Sequence, residues 1–198
     1  MIQNLIAICR SKTTYSVTPR SRIIYSPSYN ITFCGLEKCH PFDSEKYGNI
    51  FERLVKKGII GRKDAIVPGK PSRNFLLEKI SWFYLLKMCY TIPVCTYIEM
   101  PFYFMPAFLL RWRVLDPMLL ATEGSVLAVC VAEQLGWAVN LSGGFHHANT
   151  KSGGGFCIYP DITLMVHYLR TRLGKRKIMI VDLDAHQGNG HEQDHLGD

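Results

Sequence analysis

The residues best placed to do chemistry lie in the run Lys177 to His191, K-I-M-I-V-D-L-D-A-H-Q-G-N-G-H. An apolar stretch, Ile178 to Val181, gives way to alternation: Asp182, Asp184 and His186 share one parity, Leu183 and Ala185 the other. In an extended strand, residues two apart project to the same face. Two carboxylates and an imidazole would therefore line one side of a strand end, before Gly188 and Gly190 break it. Such a polar row on a buried strand is costly unless something compensates it. A divalent cation is the simplest compensation, and carboxylate oxygen with imidazole nitrogen suits zinc, with iron second.

A second cluster, Ser142-Gly143-Gly144-Phe145-His146-His147, follows the compact apolar run Trp137 to Leu141. Imidazoles give and take protons near neutral pH. Asp182 is placed to hold one of them in orientation, as a buried carboxylate does in other histidine-based sites. A metal at Asp184 and His186 would acidify a bound water and polarise a carbonyl. A neighbouring His could deprotonate that water and later protonate a leaving amine. Together these parts specify metal-assisted hydrolysis of an amide-type bond.

The elements that must position these groups read as strand, helix, strand. Trp137 to Leu141 is the first strand. Asp161 to Leu173 is a helix with Ile162, Met165, Val166 and Leu169 on one face and Gly174 as its stop. The 178–185 run is the second strand. That spacing implies a right-handed parallel crossover, and ligands of open parallel sheets sit beyond the carboxyl ends of the strands. Both polar clusters, 142–156 and 182–191, fall at such ends, which points to one shared site. His167, on the helix between, reads as ordinary packing or surface chemistry.

Upstream, Ile23-Ile24-Tyr25 and Ile31 to Phe33 are short extended candidates. Asp43 reads as the N-cap of a helix carrying Phe51, Leu54 and Val55 and ending at Gly58. Cys34, Cys39 and His40 match no common zinc spacing. Residues 64–73 are a loop whose Gly69-Lys70 lacks the first glycine of a phosphate loop. Phe75 to Tyr90 predicts a buried helix. The apolar residues from Ile92 to Leu110 are broken by Pro93, Glu99, Pro101 and Pro106, so no clean membrane span of about 20 residues survives there; they suit irregular chain over a core. Asp116-Pro117 opens the next helical region, and Val126 to Leu135 is a helix with Gly136 as C-cap.

At 198 residues and 47% apolar, the chain is one domain or part of one. The net charge of +7 owes much to an acid-free start: residues 1–22 read as a basic, disordered tail, with a mitochondrial leader the lesser alternative. No basic stripe with interleaved aromatics supports direct nucleic-acid binding. The seven Cys, without a C-x-x-C, read as reduced intracellular thiols.

With these residues on the page, the chain resembles the arginase/deacetylase superfamily, and within it the zinc-dependent histone deacetylases, most of all class IV. The segments that carry the resemblance are 25–33, 35–43, G-W-A-V-N-L-S-G-G-F-H-H at 136–147, G-G-G-F-C at 153–157 and V-D-L-D-A-H-Q-G-N-G-H-E at 181–192. It covers roughly 23–57 and 106–198; residues 64–103 are atypical, as a gene-model error or altered splice would make them. The resemblance implies a three-layer α/β fold, a mainly parallel sheet of about eight strands with helices on both faces, of which 23–198 would supply the amino-terminal part. It implies zinc ligands at Asp184 and His186, and a proton-transfer pair at His146 and His147, with His147 the base. Asp182 would orient His146, and Asn189 stands where many relatives place an Asp facing the second His. Gly155 and Phe156 would wall the acyl-lysine channel, and the backbone around Asp182 to His186 would form a potassium-type site. Acyl-lysine on histones or other proteins, long fatty-acyl groups included, is the implied substrate. Deacetylase complex subunits are the implied partners, and the nucleus or cytoplasm the implied location.

The family's third zinc ligand and its transition-state tyrosine are expected further along than residue 198, so the isolated chain is expected to have little or no activity. An arginase-type ureohydrolase wants an Asp two positions after the metal-binding His, where Gly188 stands. A catalytically silent interaction module is the non-enzymatic alternative.

Overall fold

The computed structural model describes residues 4–7, 14–17, 22–32, 35–39, 42–101 and 103–198. In chain order the elements are β1 (Asn4–Ala7), β2 (Thr14–Val17), β3 (Ile23–Ile24), α1 (Lys46–Lys56), α2 (Arg73–Leu77), α3 (Trp82–Lys87), α4 (Thr91–Tyr97), α5 (Ala107–Leu110), α6 (Asp116–Leu135), β4 (Val139–Asn140), α7 (Asp161–Leu173) and α8 (Asn189–Asp194). They group into two units, Met1–Ser72 with Asp116–Gly143, and Arg73–Leu115 with Gly144–Asp198.

In the first unit, β1 and β2 pair antiparallel, within the segment read from sequence as a tail. β3 and β4 pair in parallel, Ile23 against Val139 and Ile24 against Asn140. Ile66 extends that ladder, its N–H donating to Ile23 O at 2.9 Å and its carbonyl accepting from Tyr25 N at 3.0 Å. Against these lie the buried Ile24, Tyr29, Phe51, Val126, Leu127 and Val131, with Tyr25 and Phe51 stacked at 4.1 Å. Gly124 of α6 is required here: a Cβ would stand 2.0 Å from Tyr29 Oη and 2.7 Å from Asn140 Oδ1. Those two groups are themselves hydrogen-bonded at 2.8 Å, and Asn140 Nδ2 donates to Ala121 O at 2.9 Å, which ties β4 to α6. Glu123, next to Gly124, is 1% exposed, and its Oε2 has no hydrogen-bond partner among the described residues. Burial pushes its carboxyl up to about 8.

In the second unit, α7 carries the buried Leu164, Val166 and Tyr168 and ends at Gly174, φ 64°, in the left-handed conformation that glycine tolerates. Tyr84 of α3 donates from its hydroxyl to Ile158 O at 2.6 Å, Ser81 N donates to Thr150 O at 2.9 Å and Phe156 N to Tyr97 O at 3.0 Å. The 73–115 segment thus braces the loop before α7. Glu78 accepts from Arg172 at 2.6 Å and faces His167 Nε2 at 2.9 Å, so His167 has an ionic partner of its own.

Several sequence expectations change. The strand expected at 178–185 does not form. Among the described residues no backbone–backbone hydrogen bond involves 176–187, and a strand exists only through its ladder partners. Met179, Val181 and Leu183 lie 84%, 65% and 91% exposed, and the chain bends at 184–186, so the polar residues 182, 184 and 186 rest on unpaired chain. The parallel crossover onto this run is accordingly not seen; the parallel pair observed is β3 with β4.

The single buried helix expected over Phe75 to Tyr90 is two short ones, split at 78–81 where Ser81 turns to bond Thr150; Trp82, Phe83, Leu86 and Tyr90 are exposed. Residues 92–110, expected as irregular, hold α4 and α5. Pro93 sits in the first turn of α4, where its missing N–H is harmless. α1 begins at Lys46 with Glu45 and not Asp43 as its N-cap; Asp43 lies two residues before that cap, its Oδ1 accepting from Glu45 N at 3.0 Å. α6 is one helix of 20 residues from Asp116 onward. The helical run Ala107–Leu135 is long and apolar enough to cross a bilayer by length and composition, but 67% of its most apolar window is buried, as in a core helix. Cys34 and His40 lie outside the described residues, as do most of residues 1–22.

Candidate active site

The loop bearing the paired histidines is held by one carboxylate. Asp161, fully buried at the start of α7, accepts from Gly144 N and Phe145 N, both at 2.8 Å. An ionised carboxylate between two backbone donors forms charge-assisted bonds. They draw the Gly-Gly-Phe turn onto α7. Ala148 N closes the turn on Phe145 O at 3.0 Å, leaving the His146 and His147 rings 4.2 Å apart.

The second loop meets the first. His146 Nδ1 is 2.9 Å from Asp182 Oδ2, and His147 Nδ1 is 2.6 Å from Asn189 Oδ1. Both partners present acceptor oxygens, so each imidazole carries its hydrogen on Nδ1 and keeps Nε2 as an acceptor. His146 Nε2 lies 3.9 Å from Asp184 Oδ1, and the His147 and His186 rings are 6.0 Å apart. The Asp182 carboxyl is held down to about 2 by the Asp184 N–H first, then His146 and His191. Asp184 is also held below the ordinary carboxylate range, by the His186 backbone N–H first and then its side chain.

Gly155 and Phe156 are the central residues of a tight turn, with φ of 51° and 62°, closed by Cys157 N to Gly154 O at 2.8 Å. A Cβ on Gly155 would meet His147 Cδ2 at 2.4 Å; only glycine lets the turn tip close on the imidazole. All eight residues singled out from sequence therefore fall in one neighbourhood of the second unit. Cys157, beside them, is buried and its thiol is pushed up to about 12 by burial, which leaves it a poor nucleophile.

His186 Nδ1 and Asp184 Oδ1 are 3.0 Å apart, close to the ~3.3 Å edge spanned by two donors about 2.0 Å from a tetrahedral zinc. Both side chains are open to solvent, at 77% and 52%. This pair fits two positions of a zinc site. Among the described residues no group of three His, Cys, Asp or Glu converges to complete one.

Three contributors escaped the sequence reading. Asp161 was read only as a helix start. Asp194 accepts from Thr150 N at 3.0 Å, Thr150 Oγ1 at 2.8 Å and Thr163 Oγ1 at 2.9 Å, tying α8 to both the loop and α7. His191 Nε2 lies 3.2 Å from Asp182 Oδ2. An acidic residue at a helix start after a glycine-rich loop was the available signal for Asp161; nothing periodic marks the other two.

Comparison with known proteins bears directly on this arrangement. The histone deacetylase domain matches residues 40–197. The chain belongs to the histone deacetylase family. It is 45% identical over 195 residues to the protein named histone deacetylase 2 of Arabidopsis thaliana, covering 96% of this chain and 50% of that one. An uncharacterized protein of Picosynechococcus is 29% identical over 173 residues, covering 85% of this chain and 53% of its own length. The acetoin utilization protein AcuC of Staphylococcus aureus is 45% identical over 51 residues, 26% of this chain and 13% of that one. The chain spans about half the length of the first two relatives. Family membership implies the arginase/deacetylase fold.

Proposed function

We propose that this chain supplies the proton-transfer half of a zinc-dependent lysine deacylase acting on acylated lysine in histones and other proteins, in the nucleus or cytoplasm. The observation that carries the reading is the pair of adjacent imidazoles, each tied through Nδ1, standing beside the Asp184–His186 donors. Asp184 and His186 would hold the zinc, with a further ligand from outside this cluster. Bound there, zinc would supply an acidified water and a polarised amide carbonyl.

The chain's own residues do the rest. Asn189 fixes the His147 ring so that Nε2 takes the proton from the attacking water. Asp182 fixes His146 and stabilises it when protonated, so the proton that His147 takes from the water can be returned through the pair to the departing lysine amine. Gly155 brings the turn against His147, and Phe156 offers an apolar wall to the acyl-lysine stem; class IV resemblance extends the acyl group to long chains. The ureohydrolase reading loses ground on geometry as well as sequence. A Cβ at Gly188 would meet His191 Nε2 and Asp182 Oδ2, so a side chain there would have to displace the His191–Asp182 contact.

The test replaces the matching half of Arabidopsis histone deacetylase 2 with residues 23–198 and measures hydrolysis of acetyl- and myristoyl-lysine peptides. Zinc-dependent turnover is expected, with His147→Ala lowering it by roughly 10²–10⁴-fold, and with the 198-residue chain alone showing little or none. Robust zinc-dependent turnover by that chain alone, or a chimera indifferent to His147→Ala, contradicts the reading.

A further inference from the structure

We infer that His191 is a second positioning residue for the histidine pair: a further side-chain donor on the same Asp182 oxygen that His146 holds. Asp182 Oδ2 receives His146 Nδ1 at 2.9 Å and His191 Nε2 at 3.2 Å, while Oδ1 receives the Asp184 N–H at 3.0 Å. An ionised carboxylate only accepts. Both imidazole nitrogens facing it must then carry hydrogen, which assigns His191 the Nε2–H tautomer and His146 the Nδ1–H tautomer.

Three features separate this contact from an incidental surface pair. The His191 side chain is only 15% exposed. The space that brings His191 to Asp182 exists because Gly188 has no Cβ; one would strike both partners. The backbone is held as well, since Gly190 N donates to His146 O at 2.9 Å and His191 N to the same oxygen at 3.3 Å. A Cβ on Gly190 would stand 2.4 Å from both Ala148 O and His147 C. One short helix therefore touches the histidine pair three ways: Asn189 on the His147 ring, the first amides on the His146 carbonyl, and His191 on the carboxylate that orients the His146 ring. With His146 alone, Asp182 would keep one side-chain anchor on a solvent-open loop; with two, its rotation is fixed.

The inference deepens the proposed deacylase reading, in which the orientation of His146 matters, but its test does not depend on turnover. The 198-residue protein, labelled with ¹⁵N-histidine, is examined by two-bond ¹H–¹⁵N correlation at neutral pH. His191 is expected as the Nε2–H tautomer and His146 as Nδ1–H. In His191→Phe, solvent exchange of the His146 Nδ1–H should speed up about tenfold, the loss of about one net hydrogen bond. His191→Gln, which keeps an N–H donor, should hold exchange within about twofold of the parent. A His191 ring in the Nδ1–H form, or averaging freely between tautomers, overturns the inference in the unaltered protein, whether or not a variant folds. So does His191→Phe with unchanged exchange, or His191→Gln no better than His191→Phe. A chimera without deacylase activity would count against the proposed function and not against this clamp.

Discussion

His146 and His147 share a side chain and differ in what grips it. An anionic carboxylate holds one at 2.9 Å and a neutral amide oxygen the other at 2.6 Å, and this difference is what divides their proposed roles. The second determinant at this scale is an absence: Gly155 has no Cβ where one would stand 2.4 Å from the His147 ring. Gly155→Ala should therefore displace the ring and lower chimera turnover by roughly 10²-fold, the size expected for a misplacement of about 1 Å. The thermal midpoint should move by only a few degrees; if turnover is unaffected, the turn does not position His147. The grip of Asp182 on an imidazole was legible from residue types and spacing; the places of Asn189 and Gly155 were given only by the family resemblance. The Asp182–His191 contact was not legible, since two side chains nine positions apart meet only when the glycines between them turn.

Among the elements, α8 decides whether the two loops stay together. Gly190→Ala places a methyl against backbone atoms of 147 and 148 that cannot swing aside. An overpacking cost of about 1–3 kcal/mol should show as a lower thermal midpoint, with faster amide exchange at Gly190 and His191, whose N–H groups bond His146 O. Helix stops were readable in advance: Gly58, Gly136 and Gly174 all take φ between 64° and 89°, because left-handed backbone is a local demand. The division of 73–90 into α2 and α3 was not readable, being set by Thr150 and Ile158, far along the chain. The 178–185 run fails as a strand for the same kind of reason. Its sequence is strand-like, but strand formation depends on neighbours that the described residues do not provide. Even so, Asp182 and Asp184 reach His146, through local turns in which each Asp accepts from the backbone N–H two residues on and not through strand parity.

At the scale of the whole molecule, two features govern behaviour in solution. Glu123 is buried without a partner for Oε2 among the described residues, and its pKa is raised from 4.5 to about 8. The folded state thus binds a proton that the unfolded state has released. The stability contributed is fully present below pH ~4.5, is lost progressively as pH rises toward ~8, and flattens above that. Glu123→Met, similar in volume and without a charge to bury, should abolish this slope and raise the thermal midpoint most at alkaline pH; a parallel pH profile in the variant would show that Glu123 is not its source. The second feature is the bare apolar row of Met179, Val181 and Leu183, which gives the interaction-module reading its one physical support. An unpaired apolar edge invites association, so Met179→Lys with Leu183→Lys should shift sedimentation toward monomer; unchanged sedimentation would show that this edge does not drive association. The central claim is that both loops frame one hydrolytic cation site, and a zinc titration of the ¹⁵N-histidine-labelled protein followed by NMR reaches it most directly. The account predicts that His186 responds first, that His146 and His147 follow, that His167 and His195 stay still, and that Asp184→Ala abolishes the response. A silent His186, or a response led by His167 or His195, would contradict it.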